Sequence, residues 1–249
     1  MPKAPFTART PGGKLARPCL AFRGAAGRVL LFVVAGLVAP ACDSGTPAPE
    51  RPAETGADTG ARLADPGPLV VFLGDSRTAG LGLAQDEAYP ARVRELAAAA
   101  GRPLRVGNAG VSGDTSAGGL ARVSWLVAQR PAVVVVALGA NDGLRGLSTE
   151  ALEKNLREIV AQIREGGARV LLAGMHMPPN YGPEYSAKFH AAYEKVAEDL
   201  DVPFLPFLLE GVGGVRELNQ DDGIHPNAAG QRKLAETVWE ELEPLLPEP

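Results

Sequence analysis

The spacing of hydrophobic and polar positions changes character several times along this chain. Leu69–Leu73 is an unbroken apolar run that stops abruptly at Gly74-Asp75-Ser76, and runs of this length fit strands buried on both faces. Val133–Leu138 and Val170–Ala173 repeat the pattern, and Leu104–Val106 and Phe204–Leu205 are shorter versions of it. Between these segments the apolar positions take helical spacing, predicting helices over Ala88–Ala100, Ser116–Gln129, Glu150–Glu165 and Glu184–Leu200, with a last one from Pro226. The clearest is the third, where Leu152, Leu156, Ile159, Val160 and Ile163 share one face and Gly166-Gly167 ends it. Strands that alternate with helices in this way predict a doubly wound α/β domain, a three-layer α/β/α stack around a mainly parallel five-stranded sheet. It spans residues 69–249 and contains no internal repeat.

The chain before Leu69 follows a different rule. Residues 1–41 hold six basic residues and no acid, and they end in the apolar run Val29–Ala41. The run is too short to cross a bilayer comfortably, so the segment reads as an export signal. Ala39-Pro40-Ala41-Cys42 meets the small-x-small requirement of signal cleavage and resembles a bacterial lipoprotein processing site, although such sites usually carry Leu where Ala39 stands. The expectation is therefore a protein of the periplasm or cell envelope, tethered to the membrane by a lipid on Cys42. An uncleaved anchor and a soluble exported protein are the other possibilities. Residues 42–68 are rich in Pro, Gly, Ala and Thr without apolar periodicity and read as a flexible tether, with a reach of about 30 Å.

Composition narrows the function further. The only cysteines are Cys19 and Cys42, so a chain processed at Cys42 holds no disulfide and no thiolate metal site. Of 25 basic residues six precede Cys42, which leaves 19 against 29 acidic ones, a net charge of −10. No basic face remains for phosphate backbones, and a nucleic-acid partner is disfavoured.

Candidate chemistry collects at the predicted strand ends, where open α/β sheets place their sites. Ser76 follows the first strand; it is either a nucleophile or, with Asp75, a cap of the next helix. A nucleophilic serine needs a base, and histidine suits because its pKa lies near neutrality. His190 sits in a helical pattern and reads as packing or surface. His176 follows the fourth strand in "MHMPPN" and could line a pocket. His225 stands in "DDGIHPN" with Asp222 three residues upstream; the pair forms either a capping turn or an oriented imidazole–carboxylate dyad. Acyl chemistry also needs donors for an oxyanion, and "GNAGVSGDTS" offers the Gly113 N–H while "LGANDG" offers the Asn141 amide. Each is an ordinary turn by itself. In "MHMPPNYGPEY", Met175, Met177 and Tyr181 suit an apolar acyl chain.

Taken in order, "GDSRTAG", "NAGVSGDTS", "LGANDGLRG" and "DDGIHPN" resemble the four blocks of the SGNH (GDSL) hydrolase superfamily, most closely its bacterial thioesterase I, arylesterase and lysophospholipase L1 branch. The resemblance extends from Leu69 to the C-terminus. It implies a flavodoxin-like sheet, a serine esterase without cofactor, and small acyl esters or thioesters as substrates. It further implies that Ser76 is the nucleophile, that Asp222 and His225 complete a triad, and that Ser76 N–H, Gly113 N–H and Asn141 form the oxyanion hole. Arg77 departs from the branch, which has a small or aliphatic residue there; lying beside the nucleophile, it is a candidate influence on substrate preference. The alternative is a non-catalytic envelope lipoprotein that keeps this fold to bind a glycan or lipid. A nucleotide-binding domain fits less well, because no GxGxxG or GxxxxGK[ST] follows any strand.

Overall fold

The computed structural model describes residues 67–248. The signal segment 1–41, Cys42 and nearly all of the 42–68 tether lie outside the described residues. In chain order the elements are β1 (Leu69–Gly74), α1 (Ser76–Ala79), α2 (Tyr89–Ala99), β2 (Arg105–Gly110), α3 (Ser116–Leu120), α4 (Val123–Val127) and β3 (Val133–Ala137). They continue with α5 (Ala140–Leu144), α6 (Thr149–Glu165), β4 (Arg169–Ala173), α7 (Pro183–Leu200), β5 (Phe204–Leu205) and α8 (Ala228–Leu242). The five strands form one parallel sheet in the order β2-β1-β3-β4-β5, the flavodoxin-like doubly wound arrangement around a mixed-hydrophobic core.

The apolar runs occupy the middle of this sheet because only there are both faces covered. Every residue of β3 is buried, as is all of β1 after Leu69. Helix α6 buries the stripe Leu152, Leu156, Ile159, Val160 and Ile163, and Ser148 starts it by accepting the Ala151 N–H. From β1 the chain leaves in one direction to β2 and then returns past β1 to β3. That reversal opens a crevice at the carboxyl ends of β1 and β3, the place where sheets of this topology bind ligands. Ser76 follows β1, and Asn141 follows β3 across the crevice.

The larger differences from the sequence expectation have physical reasons. Strand β2 runs on to Gly110, pairing Gly74 with it, through Gly107, Asn108 and Ala109, whose weak strand propensity hides an edge strand. The helix expected over Ser116–Gln129 is two short ones, because Arg122 turns inward at the break to give Nε to Asp114 and Nη2 to the Gly74 carbonyl. Helix α8 begins at Ala228 rather than Pro226: Asn227 caps it by accepting the N–H groups of Ala229 and Gly230, while Pro226 bridges back to Asn219. The short helices α1 and α5 had no periodicity to announce them. Among the described residues no helix is long and apolar enough to cross a membrane.

Candidate active site

The turn after β1 sets the site. Asp75 caps α1, its Oδ1 accepting the Arg77 N–H at 2.9 Å, so the capping reading of this residue holds. The cap leaves Ser76 as the first helical residue, with its N–H free of intrahelical acceptors. The close approach of the β2 end requires glycine: a Cβ on Gly110 would stand 2.2 Å from the Ala79 nitrogen. Gln231 of α8 braces the turn from below, donating to the Arg77 carbonyl and accepting the Tyr89 N–H.

Opposite, the 220–226 loop brings in the histidine. Asp222 Oδ1 accepts the N–H groups of Ile224 and His225, both at 3.0 Å, while Oδ2 lies 2.6 Å from His225 Nδ1. Capping turn and dyad therefore coexist, one carboxylate oxygen serving each. An ionised carboxylate can only accept, so Nδ1 carries the proton and Nε2 presents its lone pair. That lone pair faces Ser76 Oγ at 2.8 Å. The backbone N–H of Ile224, with the His225 side chain and N–H, holds the Asp222 pKa down to about 2, so the group stays ionised through the neutral range and can stabilise a charged imidazole. Asp142, another acid near the site, is committed elsewhere: it accepts the Ser116 hydroxyl and N–H, and Asn155 bonds the same hydroxyl. This cluster, not anticipated from sequence, locks the start of α3, after β2, to α5, after β3.

The segments that follow β2 and β3 carry the remaining candidates. Gly113 adopts φ +81°, a conformation that favours glycine, and its N–H donates to no acceptor among the described residues. Arg145 fixes it by donating to its carbonyl. Asn141 Nδ2 bonds the Asp114 carbonyl at 2.9 Å and, weakly, Asp75 Oδ2 at 3.3 Å. The longer bond is the one a ligand oxygen can replace.

A chain of serine, imidazole and carboxylate, with free backbone donors beside the serine, can transfer a proton and stabilise an oxyanion. Its surroundings match a known family. The model of the GDSL-like lipase/acylhydrolase family matches residues 72–233. The chain belongs to that family. It is 48% identical over 178 residues to an esterase, TesA, of Pseudomonas aeruginosa, covering 71% of this chain and 89% of that one. It is 40% identical over 178 residues to the thioesterase 1/protease 1/lysophospholipase L1 of Escherichia coli K12, covering 71% and 84%. Among solved structures, the psychrotrophic esterase EstA of a Pseudoalteromonas species superposes with a TM-score of 0.68 at 31% identity over 71% of this chain and 97% of that one.

The GDSL-like acylhydrolase has a slot of about 440 Å³ beside the serine turn. Arg77, Met175, Met177, Pro178, Phe207 and Ile224 contribute to its wall, so three of the four sequence candidates for substrate binding meet there. Tyr181 does not: it lies over a separate hollow with Tyr185, its hydroxyl donating to the Leu144 carbonyl. His176 also lines the slot, stacked on Phe207 with centroids 4.5 Å apart. Partial desolvation and the adjacent His190 lower its pKa, which keeps the ring neutral. Phe207 and Ile224 escaped the sequence reading because nothing in their local pattern marks a loop residue as facing a pocket.

Proposed function

We propose that this chain is a serine esterase that cleaves carboxylic esters and thioesters through an acyl-enzyme. The observation that carries the reading is the two-link chain from Ser76 Oγ to His225 Nε2 at 2.8 Å and from His225 Nδ1 to Asp222 at 2.6 Å. Ser76 Oγ attacks the carbonyl carbon as its proton passes to Nε2, and Asp222 stabilises the imidazolium. The oxyanion takes hydrogen bonds from Ser76 N–H, Gly113 N–H and Asn141 Nδ2. As the tetrahedral centre collapses, His225 returns the proton to the departing alcohol or thiol. Water then enters, gives its proton to His225, and releases the acid and Ser76.

The acyl chain occupies the slot. Its Met175 and Met177 walls suit a flexible apolar ligand, and the names of the relatives, esterase, thioesterase and lysophospholipase, support acyl esters and thioesters as the class. A panel of nitrophenyl esters and acyl thioesters of rising chain length tests this: hydrolysis with a defined optimum is expected, and no turnover of any member would overturn it. Met177→Ala lengthens the slot and should move the optimum toward longer chains, by about tenfold or more in relative kcat/KM per misfitted methylene. An equal loss at every chain length would instead give Met177 a structural role.

We also propose that the protein is exported and held at the envelope through Cys42, supported by the basic segment, the apolar run to Ala41 and the Pro-rich tether. Stable anchoring takes more than one acyl chain. Mass spectrometry of the membrane fraction should find a multiply acylated Cys42 at the N-terminus; an unmodified Cys42, or a chain still beginning upstream, would remove the anchor.

A further inference from the structure

Asp75 is 1% exposed, and each of its carboxylate oxygens has a separate task. Oδ1 accepts the Arg77 N–H at 2.9 Å and caps α1. Oδ2 takes two donors among the described residues, Arg77 Nη1 at 3.1 Å and Asn141 Nδ2 at 3.3 Å. The other Nδ2 hydrogen of Asn141 goes to the Asp114 carbonyl at 2.9 Å. An oxyanion that draws a hydrogen from Asn141 therefore draws the one aimed at Asp75. Oδ2 is then left with Arg77.

Without Arg77 that exchange is unfavourable on two counts. A buried carboxylate oxygen stripped of its donor bears a desolvation penalty. A bare carboxylate beyond Asn141 also repels the negative charge growing on the substrate, in surroundings that screen little. The Arg77 guanidinium, itself 6% exposed, keeps Oδ2 bonded and makes the pair neutral. The helix cap does not need this ion pair, since Oδ1 is served by a backbone N–H and the Arg77 carbonyl is held by Gln231. We infer that Arg77 is a positioning residue of the oxyanion hole: by neutralising Asp75 at Oδ2 it frees the second Asn141 hydrogen for the transition state. The inference rests on the esterase reading above and on Asn141 as an oxyanion donor. Arg77 acts here through Asp75 and Asn141, not through its place in the slot wall.

The test follows kcat and KM for 4-nitrophenyl butyrate, corrected for the folded fraction seen by circular dichroism. Arg77→Met should lose about 10- to 100-fold in kcat, the range for a hydrogen bond to a charged group, with KM within about twofold of wild type. Adding Asp75→Asn to that variant removes the charge and keeps an oxygen for the cap, so the double variant should regain most of the lost kcat. A merely structural role predicts the reverse, because a second change in a damaged turn adds to the loss. Arg77→Lys, which keeps the charge, should exceed Arg77→Gln, which does not, by about tenfold in kcat. Should Arg77→Met fail to fold, this second pair decides. The inference is overturned, with the esterase reading intact, by equal kcat in the lysine and glutamine variants, by a loss confined to KM, or by a double variant no faster than Arg77→Met. Wild-type protein that hydrolyses no ester removes both.

Discussion

Ser76→Ala is expected to lower kcat/KM by about 10⁴-fold or more while the protein remains folded. The hydroxyl is a small, largely buried group whose one side-chain bond is to His225 Nε2, so its removal costs stability on the order of 1 kcal/mol, a shift of a few degrees in Tm. The catalytic loss is far larger because no other nucleophile stands within reach of the lone pair that His225 presents. Groups that act as a unit are not additive. The double variant Ser76→Ala, His225→Ala should therefore be scarcely slower than either single one. Retention of more than about a tenth of wild-type activity by Ser76→Ala would contradict its role, and circular dichroism with thermal melting separates chemical from structural loss.

Asn141→Ala is expected to reduce kcat by about 10²- to 10³-fold with KM little changed, the usual consequence of removing one donor from an oxyanion hole. The selectivity for kcat follows from geometry. In the resting site Asn141 Nδ2 spends one hydrogen on the Asp114 carbonyl and points the other weakly at Asp75. The second becomes strong only toward an oxygen carrying negative charge, which exists in the transition state and not in the bound ester. Losing the Asp114 bond adds a stability cost of about 1 kcal/mol. A variant altered in KM alone would make Asn141 a group that binds the ground state.

Much of this site could be read in the chain because its parts obey local rules. Apolar runs buried on both faces leave a strong trace, and so β1 and β3 were clear, and with them the strand ends that carry Ser76 and Asn141. The Asp222–His225 pair is contained within four residues. What sequence could not convey depends on long-range closure. The break at Arg122 exists only because the β1 terminus offers a carbonyl to bond, and the Ser116–Asp142–Asn155 cluster joins residues far apart in the chain. Arg77 was singled out by its place beside Ser76, but its burial and its pairing with Asp75 left no trace in the local pattern.

Ser76 and His225 stand 149 positions apart, and Gln231, which braces the serine turn, comes later still. If the proposed mechanism operates, the ribosome releases its serine long before the base exists, and through much of translation the chain carries an unactivated serine. Activity is then expected to switch on in time rather than by a signal, once the last helix docks. A product truncated before the 220–226 loop keeps all five strands and most of the core, and it is expected to be silent as a hydrolase.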